Sequence, residues 1–425
     1  MFIDYLELER ILNVIFPWYK NKIHEICYNK KINNNLKYIN KNKQNVLIKL
    51  KEKFGKSPLR VLFYVYDKSK WKSQSLYDLM QRDERFEPII IVSKMNSPKG
   101  NSNLQSDEEI ENVFNFFKSR GMSAKYGYNT EKNEYIPLES FNPDIIFYSH
   151  PWYIETSQGP VVCSKFALTY YIPYFLPNAS SYIEYDLRFH QYVHKYYVLN
   201  DYIKSFYYQK QAKKSQNLVP VGHPQLDLLQ FNENCNDKKY VIYSPHWTVS
   251  GNNISYSTFE WSGEFLLEYA KKHPEINWVF KPHPLLYKHI LNTQFWTKEK
   301  LDKYYEDWKS IAKYHDDSDY ISLFSESVAM ITDCGSFLTE YLLTEQPVIH
   351  LVSNKAVEYN DNVKKIVKSY YQANNIKELT KFLVDVIIEK RDDKKQERLR
   401  VLEDLELKKN YCSEKIIKDI EKDLK

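Results

Sequence analysis

The chain has 425 residues, 43% of them hydrophobic and 27% charged, with a formal net charge of +5. That composition excludes a disordered or collagen-like chain, and the length exceeds one ordinary core, so two α/β domains are the natural expectation. Its five cysteines are scattered and never spaced as C-x-x-C, which argues against a disulfide framework or a zinc site and for a reducing compartment.

At the N-terminus, Met1 is followed by acidic residues where a signal peptide would carry basic ones. The first 60 residues hold thirteen Lys and Arg against five Asp and Glu, with Ile11, Leu12, Val14, Ile15, Phe16, Trp18 and Tyr19 among them. Residues 1–55 are read as a basic helical extension docked on the first domain; the same pattern also suits an anionic membrane surface. No apolar run approaches the roughly 20 residues that span a bilayer. The expected location is cytoplasmic, with peripheral attachment at the inner face of the membrane. Nucleic acid is not an expected partner, because no basic stripe or recognisable module is present.

Strand-like runs then recur at α/β spacing. The first half offers runs beginning at Arg60, Pro88, Asp144, Leu168, Tyr196 and Leu218, with a helix-period segment from Glu108. The polar stretch from Gln230 to Lys239 is the expected hinge. The second half repeats the pattern at Tyr240, Asn277, Ser327 and Pro347, and helical periodicity fills the chain after Asn375. The expected organisation is an N-terminal extension over 1–55, Rossmann-like domains over 56–229 and 238–390, and a C-terminal helix over 391–425. The fold class is α/β of the GT-B plan: two Rossmann-like domains facing across a cleft, with helical extensions at both ends, and a ligand at the carboxyl ends of the strands.

Four short motifs follow apolar runs and so belong at strand ends. These are Gly222-His223-Pro224-Gln-Leu-Asp227, Ser244-Pro-His246-Trp247-Thr248, Lys281-Pro-His283-Pro284, and Asp333-Cys-Gly335-Ser336 running to Glu340. In the last, a strand turns tightly into a helix and aims unpaired N–H groups outward, an arrangement suited to phosphate. Lys281, a protonated His283, the Ser336 hydroxyl and the Gly335 amide are the groups expected to share the charge of a diphosphate. Glu340 is the candidate acceptor for ribose hydroxyls. Prolines on both sides of His283 restrict where its ring points. Taken singly, Asp333 and Ser336 also read as turn and cap residues, Glu340 as a solvated helix charge, and His223 as structural.

In this order the motifs resemble the CDP-glycerol glycerophosphotransferase family of teichoic-acid and capsule polymer synthesis. The likeness covers about residues 140–352 and includes Phe141-Asn-Pro-Asp144 in the first half and Pro347-Val-Ile349 in the second. It implies a metal-independent transferase with no resident cofactor, whose donor is CDP-glycerol or CDP-ribitol. The acceptor is a hydroxyl of a surface polymer or lipid-linked glycan, and CMP leaves. His283 and Ser336 fall at positions implicated in donor phosphate binding, and Glu340 at the acidic position of the same motif.

This chain departs from the pattern in four places. Gly335-Ser336 replaces a double serine, His246 a threonine, and Thr248 an arginine. The W-H-G element that carries a base in many relatives is missing; Tyr171 to Asn178 occupies the corresponding place. His150 is the substitute candidate for the base, with His190 and His194 behind it, because imidazole titrates near neutral pH. The expected catalytic set is therefore His283, His150 and His246, and the donor-binding set Lys281, Asp333, Gly335, Ser336 and Glu340. Two other readings stay open: a glycosyltransferase of the same fold using a CMP- or UDP-sugar, and a non-catalytic partner in polymer synthesis.

Overall fold

The computed structural model describes residues 17–96, 105–180, 187–208, 216–230, 239–249, 254–316, 320–407 and 411–425. The apolar cluster Ile11–Phe16 and all but the ends of the expected hinge lie outside them. The described residues open with a helix over Pro17–Lys53. Lys53 near its end bonds the Asp144 carboxylate, which also accepts the Arg60 N–H, so helix and first sheet are tied at one acid.

Seven parallel strands form the first sheet. They are β1 (Leu59–Val65), β2 (Phe86–Val92), β3 (Ala124–Tyr126), and, after a two-stranded hairpin of β4 (Tyr128–Asn129) and β5 (Glu134–Tyr135), β6 (Ile145–Tyr148), β7 (Leu168–Tyr171), β8 (Lys195–Val198) and β9 (Leu218–Pro220). Their order is β3-β2-β1-β6-β7-β8-β9. The second sheet holds β10 (Tyr240–Ser244), β11 (Asn277–Phe280), β12 (Lys313–Tyr314), β13 (Ser327–Thr332), β14 (Val348–Leu351) and β15 (Tyr371–Ala373), in the order β12-β11-β10-β13-β14-β15. Both are doubly wound, and each reverses direction beside its first strand. Ligands gather at the strand carboxyl ends at such a reversal. Those ends are Tyr66 and Ser149-His150 in the first sheet, and Pro245-His246 and Asp333 in the second.

The central strands are buried on both faces, as their continuous apolar runs predict for parallel sheets. Leu176, Leu226 and Leu229 from the first half pack into the core of the second sheet, so the two halves share apolar surface.

Where one C-terminal helix was expected over 391–425, the chain forms two. The Lys395–Asp404 helix buries Val401 and Leu402 against the second sheet. The Cys412–Leu424 helix crosses back and buries Ile416, Ile420 and Leu424 in the core of the first. Asp227 explains where it starts. Its carboxylate accepts the Cys412 N–H at 2.8 Å, the Ser413 N–H at 2.9 Å and the Ser413 hydroxyl at 2.7 Å, capping N–H groups a helix cannot satisfy itself. Gly222, at φ +91°, supplies the left-handed turn that brings the Pro224–Gln230 helix and Asp227 into place.

Candidate functional site

The turn after β13 leads into the Gly335–Leu342 helix, whose N-cap, Cys334, makes no side-chain capping bond. Its first amides therefore stay uncapped by side chains at the mouth of the second sheet. A Cβ at Gly335 would lie 3.3 Å from Asn178 Nδ2 and 3.4 Å from the Tyr256 ring. Glycine thus keeps the turn open where first-half Asn178 approaches. The Ser336 hydroxyl lies 3.6 Å from Cys334 Sγ.

The Asp333 carboxylate is occupied by protein donors. One oxygen accepts the His246 N–H at 2.6 Å; the other accepts the Thr258 N–H at 2.6 Å and the Thr258 hydroxyl at 2.8 Å. It is almost fully buried, and burial raises its carboxyl to about 6 despite those bonds. The residue expected to bind donor instead fastens the loop after β10 to the turn after β13, a positioning role.

His246 and His283 come together with ring centres 5.3 Å apart, and Trp247 flanks His283 at 6.1 Å. His246 is buried, its Nδ1 bonded to the Thr248 hydroxyl at 3.0 Å. His283 accepts the Leu285 N–H on Nδ1 at 3.1 Å, which leaves the proton of the neutral ring on Nε2 as a donor. The surroundings of His283 work against the expected protonated ring. Desolvation first, then the Lys281 and Lys70 ammonium groups, lower it to about 3. It presents a neutral N–H, and the positive charge comes from the lysines.

Lys281 is buried, with its ammonium 5.3 Å from the centre of the Tyr320 ring. Tyr320 donates its hydroxyl to Glu340, and Lys72 donates to the same hydroxyl at 3.0 Å. Burial raises the Glu340 carboxyl, while Lys72, the Tyr320 hydroxyl and Lys281 oppose the rise. Glu340 is therefore an enclosed acid, not a solvated helix charge. Because Lys72 follows β1, this chain of contacts joins the two sheets.

His150 lies across from this cluster at the reversal point of the first sheet. It is fully buried, edge-on to Tyr66 at 3.7 Å, with Nδ1 bonded to Ser149 at 3.0 Å and no partner for Nε2 among the described residues. Desolvation and then Lys70 hold it neutral, well below its ordinary value. The other histidines are placed structurally. His223 Nε2 donates to Pro173 O at 2.7 Å while Nδ1 accepts the Gln225 N–H. His190 stacks on Tyr171, and His194 bonds Asp423 of the last helix at 2.8 Å.

Sequence reasoning missed Lys70 and Lys72. Lys70 is held by Asp67 at 2.9 Å and lies over the rings of Tyr66 and Tyr174. Its charge acts on both His150 and His283, so it is, like Lys72, a cation common to the two sides. The available signal was position: Asp67-Lys-Ser-Lys70-Trp-Lys72 directly follows the strand beside which the first sheet reverses. Tyr320 and Thr258 carried no comparable signal, because they reach the site from loops whose course only the fold decides.

A sequence model described as CDP-Glycerol:Poly(glycerophosphate) glycerophosphotransferase matches residues 46–422. No curated protein matches the sequence. Among solved structures, the wall teichoic acid polymerase TagF, as a variant soaked with CDPG, is similar over 95% of this chain and 98% of its own, at 16% identity and TM-score 0.57. UDP-GlcNAc 2-epimerase from Neisseria meningitidis bound to UDP-GlcNAc is similar over 86% of this chain and 100% of its own, at 13% identity and TM-score 0.53. MnaA of S. aureus with UDP is similar over 85% and 96%, at 13% identity and TM-score 0.52. At such identities these structures speak for the GT-B-like α/β fold alone.

Proposed function

The chain belongs to the CDP-glycerol:poly(glycerophosphate) glycerophosphotransferase family and is an enzyme of that type, and we propose that it moves a phosphoalditol from a CDP-alditol to a hydroxyl of a surface polymer or lipid-linked glycan, releasing CMP. In this reading the acceptor oxygen bonds to the β-phosphorus as the bond from that phosphorus to the bridging oxygen breaks. The electron pair leaves with CMP, and the acceptor proton passes to a base.

What supports the reading is that Lys281 bears on His283, whose ring lies against His246, and that His246 lies against Tyr256, which packs on Gly335 at the start of the uncapped Gly335–Leu342 helix. A diphosphate needs donors at several oxygens, and a leaving phosphate gains charge as its bond breaks. A buried ammonium, a neutral Nε2–H and helix amides supply that in a partly dehydrated site. Lys70 adds a cation from the other sheet. His246 and Asp333 hold the second-sheet loops in register, and Glu340 stays the candidate acceptor for ribose hydroxyls. His150 is the candidate base: it is neutral and unpartnered at Nε2, and with its Nδ1–H donated to Ser149 that nitrogen can take a proton. The reading requires no resident cofactor, since the donor already carries the activated bond.

We place the enzyme at the cytoplasmic face of the membrane, attached through the basic N-terminal region. Among the described residues, no helix is long and apolar enough to cross a membrane.

The test is thermal stabilisation by CDP-glycerol, CDP-ribitol, CMP, UDP and UDP-sugars, followed by assay of CMP release with an acceptor. Ligand at about 100 times its Kd should stabilise the fold by about 2.7 kcal/mol. Stabilisation by CMP and a CDP-alditol, with CMP release, supports the reading. Preference for a UDP-sugar would move the reaction to an anomeric carbon, and nucleotide binding without turnover would favour a non-catalytic partner.

A further inference from the structure

A separate cavity of about 250 Å³ lies beside the phosphate cluster, and Thr248, Ser257, Trp261, Ser353, Asn354 and Lys355 are among its lining residues. It is formed where the loops after β10, β14 and β15 meet the start of the Phe259–Lys272 helix. Glu260 and Lys355, 3.4 Å apart and both exposed, pair at its rim.

Two residues join it to the site. The Thr248 hydroxyl bonds His246 Nδ1 at 3.0 Å and accepts the Ser257 N–H at 3.1 Å. Thr258, another lining residue, bonds Asp333. The cavity therefore shares a wall with His246 and Asp333, which position the loops of the site, yet none of Lys281, His283, Ser336 and Glu340 lines it.

The lining says what fits. Hydroxyl and amide groups both donate and accept, as the hydroxyls of a polyol do. The indole of Trp261 offers an apolar surface to a carbon chain or ring. The lone ammonium in the lining is matched by a carboxylate, so the cavity has no excess positive charge to favour phosphate. Its volume falls below the roughly 300–1,000 Å³ typical of drug-sized ligands, a size for one alditol or sugar unit.

We propose that this cavity binds a single uncharged polyol unit of a substrate, next to the phosphates. The inference rests on the phosphoalditol-transfer reading. The unit has two sources with the same chemistry: the alditol of the donor, or the terminal unit of the acceptor chain.

The experiment uses the full chain and two substitutions at exposed lining positions, Lys355→Ala to remove the rim cation and Asn354→Trp to obstruct the mouth. Calorimetry measures CMP and CDP-glycerol binding, turnover measures KM for a synthetic glycerol phosphate oligomer, and melting temperatures verify folding. A loss of roughly 10-fold in CDP-glycerol affinity with CMP unchanged assigns the cavity to the donor alditol; tenfold corresponds to 1.4 kcal/mol, the scale of one or two polar contacts. Unchanged donor affinity with a roughly 10-fold higher KM for the oligomer assigns it to the acceptor. If both folded variants keep wild-type values for donor and oligomer, the inference is overturned while the proposed function stands. If the wild-type protein binds neither CMP nor CDP-glycerol, the proposed function falls and this inference with it.

Discussion

His283 shows how little of a side chain's role is decided by its identity alone. The flanking prolines and the Leu285 amide set the ring's orientation and tautomer, and two lysines set its charge. In the proposed reading, a neutral imidazole here donates one hydrogen bond to a phosphate oxygen while the ammonium groups neutralise. Replacing it by alanine should lower turnover by about 10²-fold, the scale seen when one donor to a developing oxyanion is removed, with little change in melting temperature. A folded His283→Ala protein with wild-type turnover would remove the assignment. Asp333 makes the complementary point. Its position in the motif suggested ligand contact, whereas its three bonds go to His246 and Thr258.

At the scale of elements, Asp227 does more than end the Gly222-His-Pro motif. It caps the Cys412–Leu424 helix and lies 3.3 Å from the Ser75 hydroxyl, so three segments distant in sequence meet at one carboxylate. Asp227→Ala would leave buried donors at Cys412 and Ser413 unsatisfied. The expected cost is about 2–3 kcal/mol, combining a lost cap with unpaired buried polar groups. Denaturant unfolding should show that loss in midpoint. An unchanged midpoint would mean that the last helix contributes little to the first sheet, against the burial of Ile416, Ile420 and Leu424.

For the whole molecule, the buried histidines make stability sensitive to mild acid. Burial lowers His150, His223, His246 and His350, with His223 and His350 at about 4. The unfolded chain takes up these protons near 6.5. The stability they contribute is therefore complete above pH 6.5 and is lost as pH falls toward the folded values. At pH 5, His223 and His350 have each given up about 2 kcal/mol. Asp333 opposes this: its folded value, about 6, exceeds the unfolded one, so folding gains about 1 kcal/mol from it at pH 5. Glu340, also raised by burial, acts in the same direction as Asp333. The histidines outnumber the two acids, and the melting temperature should fall between pH 7 and pH 5. A flat profile would show that these rings are not kept neutral by the fold.

The sequence by itself determined the α/β plan, the long central strands and the residues at their carboxyl ends. Apolar runs such as Val61–Val65, Ile89–Val92 and Ala329–Ile331 can be satisfied only by strands covered on both faces, and polar motifs directly after them must emerge at one edge. It did not reveal β3, β12 and β15, which are only two or three residues long and carry too little periodic signal. Nor did it show which polar groups would meet. Lys72 lies 248 residues from Tyr320, and Asp227 lies 186 from Ser413. Burial lowered His283 and raised Glu340, and contacts of that range turned Asp333 inward. Local pattern reports which residues stand at the cleft; desolvation and long-range pairing, which exist only once the chain has closed, decide the charge and partner each one has there.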